Sequence, residues 1–222
     1  MAFLEFKDMR IAGFSAGVPK YIAVNDTVAS KDYAAADFVA TTGVKERRIG
    51  DFTTSDLCYE AAERLLSDLQ WRKEEVGALI FVSQTADYIL PATACILQDR
   101  LGLSKECYAL DVALGCSGWV YGMSVIAGLL SKEGITKALL LAGDAKKRAQ
   151  GASDPLFGHA GTVTAVEYSE GAAGFKFHVG TDGSGFDAII TPDGGSRNQF
   201  TEDSLKLIQD SDGVTRHRLQ TV

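Results

Sequence analysis

Apolar runs at residues 9–14, 78–83, 108–114, 138–142, 162–168 and 175–179 have the length and the β-branched and aliphatic content of strands. Helix-like patterns lie between them. Residues 55–69 carry Leu57, Ala61, Leu65 and Leu69 at helical spacing, with Ser55 in place to cap the helix, and residues 92–101 and 120–130 read as two more helices. Strand and helix alternating at this interval predict an α/β fold: a mainly parallel sheet, helices on its faces, right-handed crossovers and sites at the strands' C-terminal ends. Past residue 180 the pattern lapses. Gly180 to Gly185 reads as a turn, because it lacks the lysine and the following helix of a phosphate loop. Residues 193–198 and the charged stretch to Val222 read as a mobile excursion, with a short helix over 204–209. The expected division is therefore a domain over 1–180 and a linking segment over 181–222, with no internal repeat.

Composition narrows the class of protein. With 222 residues, 46% of them hydrophobic and 23% charged, the chain can bury a full core. A net charge of −7 argues against a nucleic-acid surface. No stretch reaches the ~18 uninterrupted apolar residues of a membrane span. Glu5, Lys7, Asp8 and Arg10 deny residues 1–17 the apolar centre of a signal peptide, so no membrane association and a cytoplasmic location are expected. Cys58, Cys95, Cys107 and Cys116 show no CxxC pairing and read as free thiols, and no structural metal is expected.

Chemistry concentrates at Asp111-Val112-Ala113-Leu114-Gly115-Cys116-Ser117-Gly118-Trp119. Gly115 and Gly118 bracket a turn between an apolar strand and an apolar helix, which puts Cys116 at or near a helix N-terminus. Unpaired amides and the positive end of the helix dipole favour a thiolate there, and the same amides can cradle an oxyanion. Free cysteines are also common as small buried hydrophobes, and this segment by itself leaves both readings open.

Three further segments accompany it in order: Thr42-Gly43-Val44-Lys45-Glu46-Arg47-Arg48, Asp87-Tyr88-Ile89-Leu90-Pro91-Ala92-Thr93-Ala94 and Phe157-Gly158-His159-Ala160-Gly161. Together with the cysteine segment they resemble the β-ketoacyl-acyl carrier protein synthase III family of thiolase-like condensing enzymes, over nearly the whole chain. The resemblance implies mainly the N-terminal half of a duplicated βαβαβαββ architecture, layered α/β/α/β/α. It implies that Cys116 accepts an acyl group from an acyl-CoA or acyl-carrier thioester for decarboxylative condensation with a malonyl-carrier, without a cofactor. It further implies acyl carrier protein as a partner, a homodimer, and Leu90, Phe157 and Thr42 as substrate-binding residues, Leu90 at a position where family members insert a side chain from the dimer partner.

The family's histidine and asparagine partners lie in the second half, and no matching motif occurs before Val222. His159 replaces the family's aspartate and reads as structural, His178 alternates with apolar residues toward a polar strand face, and His217 sits among charges. Departures from the family pattern bear on the primer. Where members hold the adenine of acetyl-CoA between a tryptophan and an arginine, this chain offers Phe38 for stacking and Lys147 or Arg148 for charge, so a carrier-borne or unusual primer is open. Lys45, Arg47, Arg48, Lys146, Lys147 and Arg148 are the cations available to an acidic carrier or a phosphopantetheine, with Arg47 and Arg48 alternatively tying down a loop. Two other readings stay open, a noncatalytic homologue that binds acyl carrier protein or pairs with an active subunit, and an acyltransferase that does not decarboxylate.

Overall fold

The structure, a computed structural model, describes residues 2–25, 35–145, 155–209 and 215–217. In chain order the elements are β1 (Ala2–Phe6), β2 (Met9–Gly17), β3 (Ile22–Val24), α1 (Ala35–Thr42), β4 (Glu46–Arg48), α2 (Thr54–Leu69), β5 (Ala78–Val82), α3 (Thr93–Arg100), β6 (Tyr108–Val112), α4 (Gly118–Leu129), β7 (Lys137–Asp144), β8 (Ala160–Tyr168) and β9 (Phe175–Val179). Ala2–His178 forms one compact unit, and a second begins at Val179.

The first unit is built on a five-stranded sheet of order β2-β8-β7-β5-β6. β7, β5 and β6 run parallel, while β8 is antiparallel to both β7 and β2, so four strands share one direction and β8 is reversed. Reading β2, α2, β5, α3, β6, α4, β7 and β8 in order gives βαβαβαββ. β5 is buried along its whole length, as its unbroken apolar run requires of a strand covered on both faces. Leu79 and Phe81, with Leu139, Leu141, Val163 and Ala165 of the neighbouring strands, form the core beneath α2 and α3. By the alternation of the strand, Val82 and Leu140 point the other way, where ideal Cβ atoms at Gly122 and Gly118 of α4 would come within 2.6 Å of Leu140 and 2.5 Å of Val82. A side chain at either position would force Val82 or Leu140 to shift for α4 to lie this close.

α2 starts one residue earlier than expected and is capped by Thr53 rather than Ser55. Thr53 accepts from the Asp56 amide while Asp56 accepts from the Thr53 amide, a reciprocal capping box. This frees Ser55, fully buried, to donate to the Asp87 carboxylate. The helix buries Leu57, Cys58, Ala61, Ala62, Leu65 and Leu66, and its first turn lies across two facing glycines, Gly17 of β2 and Gly161 of β8. A Cβ on Gly161 would fall 2.5 Å from the Cys58 amide nitrogen.

Shorter elements went unread in the sequence. β1 pairs, outside the main sheet, with β9, the strand expected over 175–179, and β3 pairs antiparallel with β4, Ile22 opposite Arg48. In the second unit the segment expected as a helix over 204–209 is a 3₁₀ turn, Glu202–Leu205, followed by a strand β10 (Leu207–Gln209) paired with β11 (Thr215–His217). Ser184 donates its amide and hydroxyl to the Asp182 carboxylate, which holds that acid below its ordinary value and makes the glycine-rich segment a turn. Among the described residues no helix is long and apolar enough to cross a membrane.

Candidate active site

Three parallel strands end side by side, and the candidate chemistry sits on the turns beyond their C-terminal ends. β6 ends at Val112, the chain turns through Gly115, Cys116 and Ser117, and α4 begins at Gly118. The turn is closed by the Gly118 amide donating to Gly115 O at 2.8 Å, while the amides of Val120 and Tyr121 donate to Ser117 O. Cys116 is exposed in this turn, and its amide and that of Ser117 donate to no acceptor among the described residues. Amides left without an acceptor among the described residues, beside an exposed thiol at a helix start, can donate to the tetrahedral oxyanion of an acyl transfer. The other cysteines differ. Cys58 is fully buried and burial pushes its thiol up to about 12, while burial raises Cys107 to about 11; Cys95 is exposed on α3.

Where β5 and β7 end lies a polar network that the sequence did not suggest. At the end of β7 the Asp144 carboxylate accepts through Oδ1 from Ser83 Oγ (3.0 Å), the Gln84 amide (2.9 Å) and Thr85 Oγ1 (3.2 Å). The Thr85 and Thr54 hydroxyls share a hydrogen bond, and Thr54 Oγ1 accepts from the Ala145 amide. Across β5, at the sheet edge, Asp111 of β6 caps α3 by accepting from the amides of Thr93 and Ala94 at 2.7 and 2.6 Å. In the sequence Asp144 merely follows the apolar run 138–142 and Asp111 interrupts the run 108–114.

Thr42, Leu90 and Phe157 are placed on three separate segments. Thr42 closes α1, donating to Phe38 O and accepting from the Val44 amide. Leu90, 84% exposed, follows Tyr88 and the 95% exposed Ile89 on an apolar loop tip that precedes a cis Leu90–Pro91 bond. The Phe157 side chain is exposed and its carbonyl accepts from Arg47 Nη1 at 3.3 Å. Behind Phe157 is a buried residue the sequence reading missed. Asn25, fully buried, donates to Val44 O and Pro155 O and accepts from Arg47 Nε, stitching three segments together. Arg48 donates to Pro19 O and Lys20 O, so both arginines tie down loops.

His159 Nδ1 lies 2.9 Å from Gly50 O and its amide donates to Arg48 O, a structural role. His178 is exposed on β9, opposite in pleat to buried Phe177. Phe38, considered above for stacking, is 9% exposed and belongs to the core. Lys146, Lys147 and Arg148 lie outside the described residues. Beside the first turn of α4, Phe14, Ser15, Ala16, Trp119, Thr162 and Thr164 line an open cleft of about 400 Å³, with Trp119 Nε1 donating to Thr164 Oγ1 at 3.1 Å.

A βαβαβαββ sheet with a cysteine on the turn after its third parallel-run strand defines a thiolase-like protein, and solved structures agree. A 2.1 Å crystal structure of a 3-oxoacyl-(acyl-carrier-protein) synthase III superposes with a TM-score of 0.88 at 35% identity, covering 97% of this chain and 67% of that one. The family model for 3-oxoacyl-[acyl-carrier-protein] synthase III matches residues 110–183, from β6 through the cysteine turn to the glycine-rich turn. Among curated relatives, the β-ketoacyl-[acyl-carrier-protein] synthase III of Rhodopirellula baltica is 30% identical over 94% of this chain and 68% of its own length, and a putative 3-oxoacyl-[acyl-carrier-protein] synthase 3 of Campylobacter jejuni is 34% identical over 90% and 61%. The chain belongs to the β-ketoacyl-acyl carrier protein synthase III family. It spans 61% of the length of the first curated relatives it matches.

Proposed function

We propose that this chain carries the nucleophile of a condensing acyltransferase, with Cys116 as the residue that holds the acyl group. The exposed thiol at the start of α4, beside two amides that donate to no acceptor among the described residues, is the observation that carries the reading. The thiolate attacks the carbonyl of an acyl-CoA or acyl-carrier primer; the tetrahedral oxyanion collapses and expels the CoA or carrier thiol, which takes up a proton. A malonyl-carrier then loses CO₂, its carbanion attacks the acyl-enzyme, and the β-ketoacyl-carrier leaves as the cysteine thiolate is restored. Passing through a thioester enzyme keeps the acyl group reactive while it waits. The histidine and asparagine that assist decarboxylation in the family are assigned to sequence other than these 222 residues, since no matching motif occurs in them, His159 is engaged with Gly50, His178 stands exposed on β9 and His217 ends β11.

In this reading Leu90 serves the acyl pocket of a partner copy, supported by the high exposure of Ile89 and Leu90, and Phe157 and Thr42 border the primer's path. The protein works as a homodimer with acyl carrier protein, in the cytoplasm, where four free thiols are at home. The test is a condensation assay of the full-length protein with a panel of acyl-CoA and acyl-carrier primers and malonyl-carrier. Product with the wild type and none with Cys116→Ala supports the reading; no product from any primer, with the protein folded, turns it toward the noncatalytic partner.

A further inference from the structure

We infer that Asp144 is a positioning residue for the nucleophile turn, acting through Gln84; this rests on Cys116 being the nucleophile. Asp144 and Cys116 stand on different connections, and the loop after β5 lies between them. Three donors from that loop, Ser83 Oγ, the Gln84 amide and Thr85 Oγ1, converge on the single oxygen Oδ1 of Asp144. Among the described residues its other oxygen accepts nothing, so there the carboxylate bonds only to that loop.

The loop in turn bears on the cysteine turn. An ideal Cβ at Gly115, the residue before Cys116, would sit 3.0 Å from Gln84 Nε2 and 3.2 Å from its Cδ, so the Gln84 side-chain amide packs against the turn at Gly115. On its other flank the turn is stopped by Val82, 2.5 Å from the corresponding point on Gly118. The turn that aims the Cys116 amide and sulfur is thus seated on residues 82–84, and residues 83–85 are held by Asp144. Charge-assisted bonds from amide and hydroxyl donors on adjacent residues fix a loop more tightly than neutral ones. Orientation of a nucleophile is sensitive to such support, because a displacement near 1 Å can cost on the order of 100-fold in rate.

The experiment measures single-turnover acylation of Cys116 in the full-length protein by rapid quench and mass, and in parallel the rate of iodoacetamide alkylation at Cys116 by peptide mapping. Asp144→Ala and Gln84→Ala are expected to lower the acylation rate constant roughly 10-fold with the reactive fraction unchanged, and Asp144→Asn, which keeps an acceptor oxygen in place, to recover to within roughly 3-fold of wild type. Gln84 is exposed, so its variant tests the claim even where Asp144→Ala folds poorly. Unchanged rate constants in the Gln84 and Asp144 variants would overturn the inference, as would a loss of reactive fraction alone, which is what a merely structural role gives. If no donor acylates even the wild type, the nucleophile reading fails separately, and positioning is then decided by alkylation: slower in both variants supports it, equal to wild type refutes it.

Discussion

Four cysteines in one chain occupy four environments, and their reactivity should sort accordingly. Cys58 donates weakly to Thr162 O within the core, and burial lifts its thiol to about 12; Cys107, half-buried, is lifted to about 11. Near neutral pH both remain protonated, so limited iodoacetamide treatment of the folded protein is expected to modify Cys116 and Cys95 and to leave Cys58 and Cys107 intact until denaturant is added. Labelling of Cys58 in the native state would contradict the burial described here. The same residue scale shows what a sequence reading can and cannot reach. Cys116 stood out because glycines flank it at a strand-to-helix junction, a local signal. Asn25 and Asp144 did not, since their partners are 19 to 130 and 59 to 61 positions away and nothing local marks a buried amide or carboxylate as the hub of a network.

At the scale of elements, the long apolar runs were legible and the short ones were not. β5 and α2 bury continuous or periodic apolar surface, which is the pattern the sequence displays. β3 and β4 span three residues each, and β4 is Glu46-Arg47-Arg48, whose strand character comes only from pairing with β3. The cap of α2 was misplaced by two residues because Thr53, Thr54 and Ser55 are all competent caps, and only Asp56 at the third helical position selects Thr53. Thr53→Ala is expected to cost about 1 kcal/mol in chemical unfolding. Although partial burial pulls the Asp56 carboxyl up, bonds from Thr53 and the nearby Arg100 hold it below 3.8 on balance. A carboxyl depressed in the fold stabilises it above the unfolded value and loses that contribution as pH falls through the folded one. The difference between wild type and Asp56→Ala should therefore be full at neutral pH and shrink below pH 3.8, which an acid titration of stability checks. Gly161→Ala drives a methyl to 2.5 Å from the Cys58 amide, backbone that cannot swing aside, so a loss of roughly 1–3 kcal/mol is expected by denaturant melts.

At the scale of the molecule, much large apolar surface stays open: Phe14 at 65%, Ile89 at 95% and Leu90 at 84%, besides the Trp119 cleft. Patches of this kind mark surfaces that other polypeptide covers. Light scattering on the full-length protein is expected to give a dimer, and Leu90→Asp to weaken it; a monomer at micromolar concentration would count against the partner-copy role of the 88–90 tip. The βαβαβαββ order was readable because every long strand carries its own apolar run and every crossover its own helix. The reversal of β8 was not, because an apolar run marks a strand without marking its direction.

The central claim is that Cys116 takes the acyl group. Intact-protein mass measurement of the full-length protein and its Cys116→Ser variant, mixed with acyl-CoA and acyl-carrier thioesters, tests it most directly. An acyl mass added to the wild type and absent from the variant is the predicted result. An adduct that persists in Cys116→Ser, or none on a folded wild type from any donor, would contradict it.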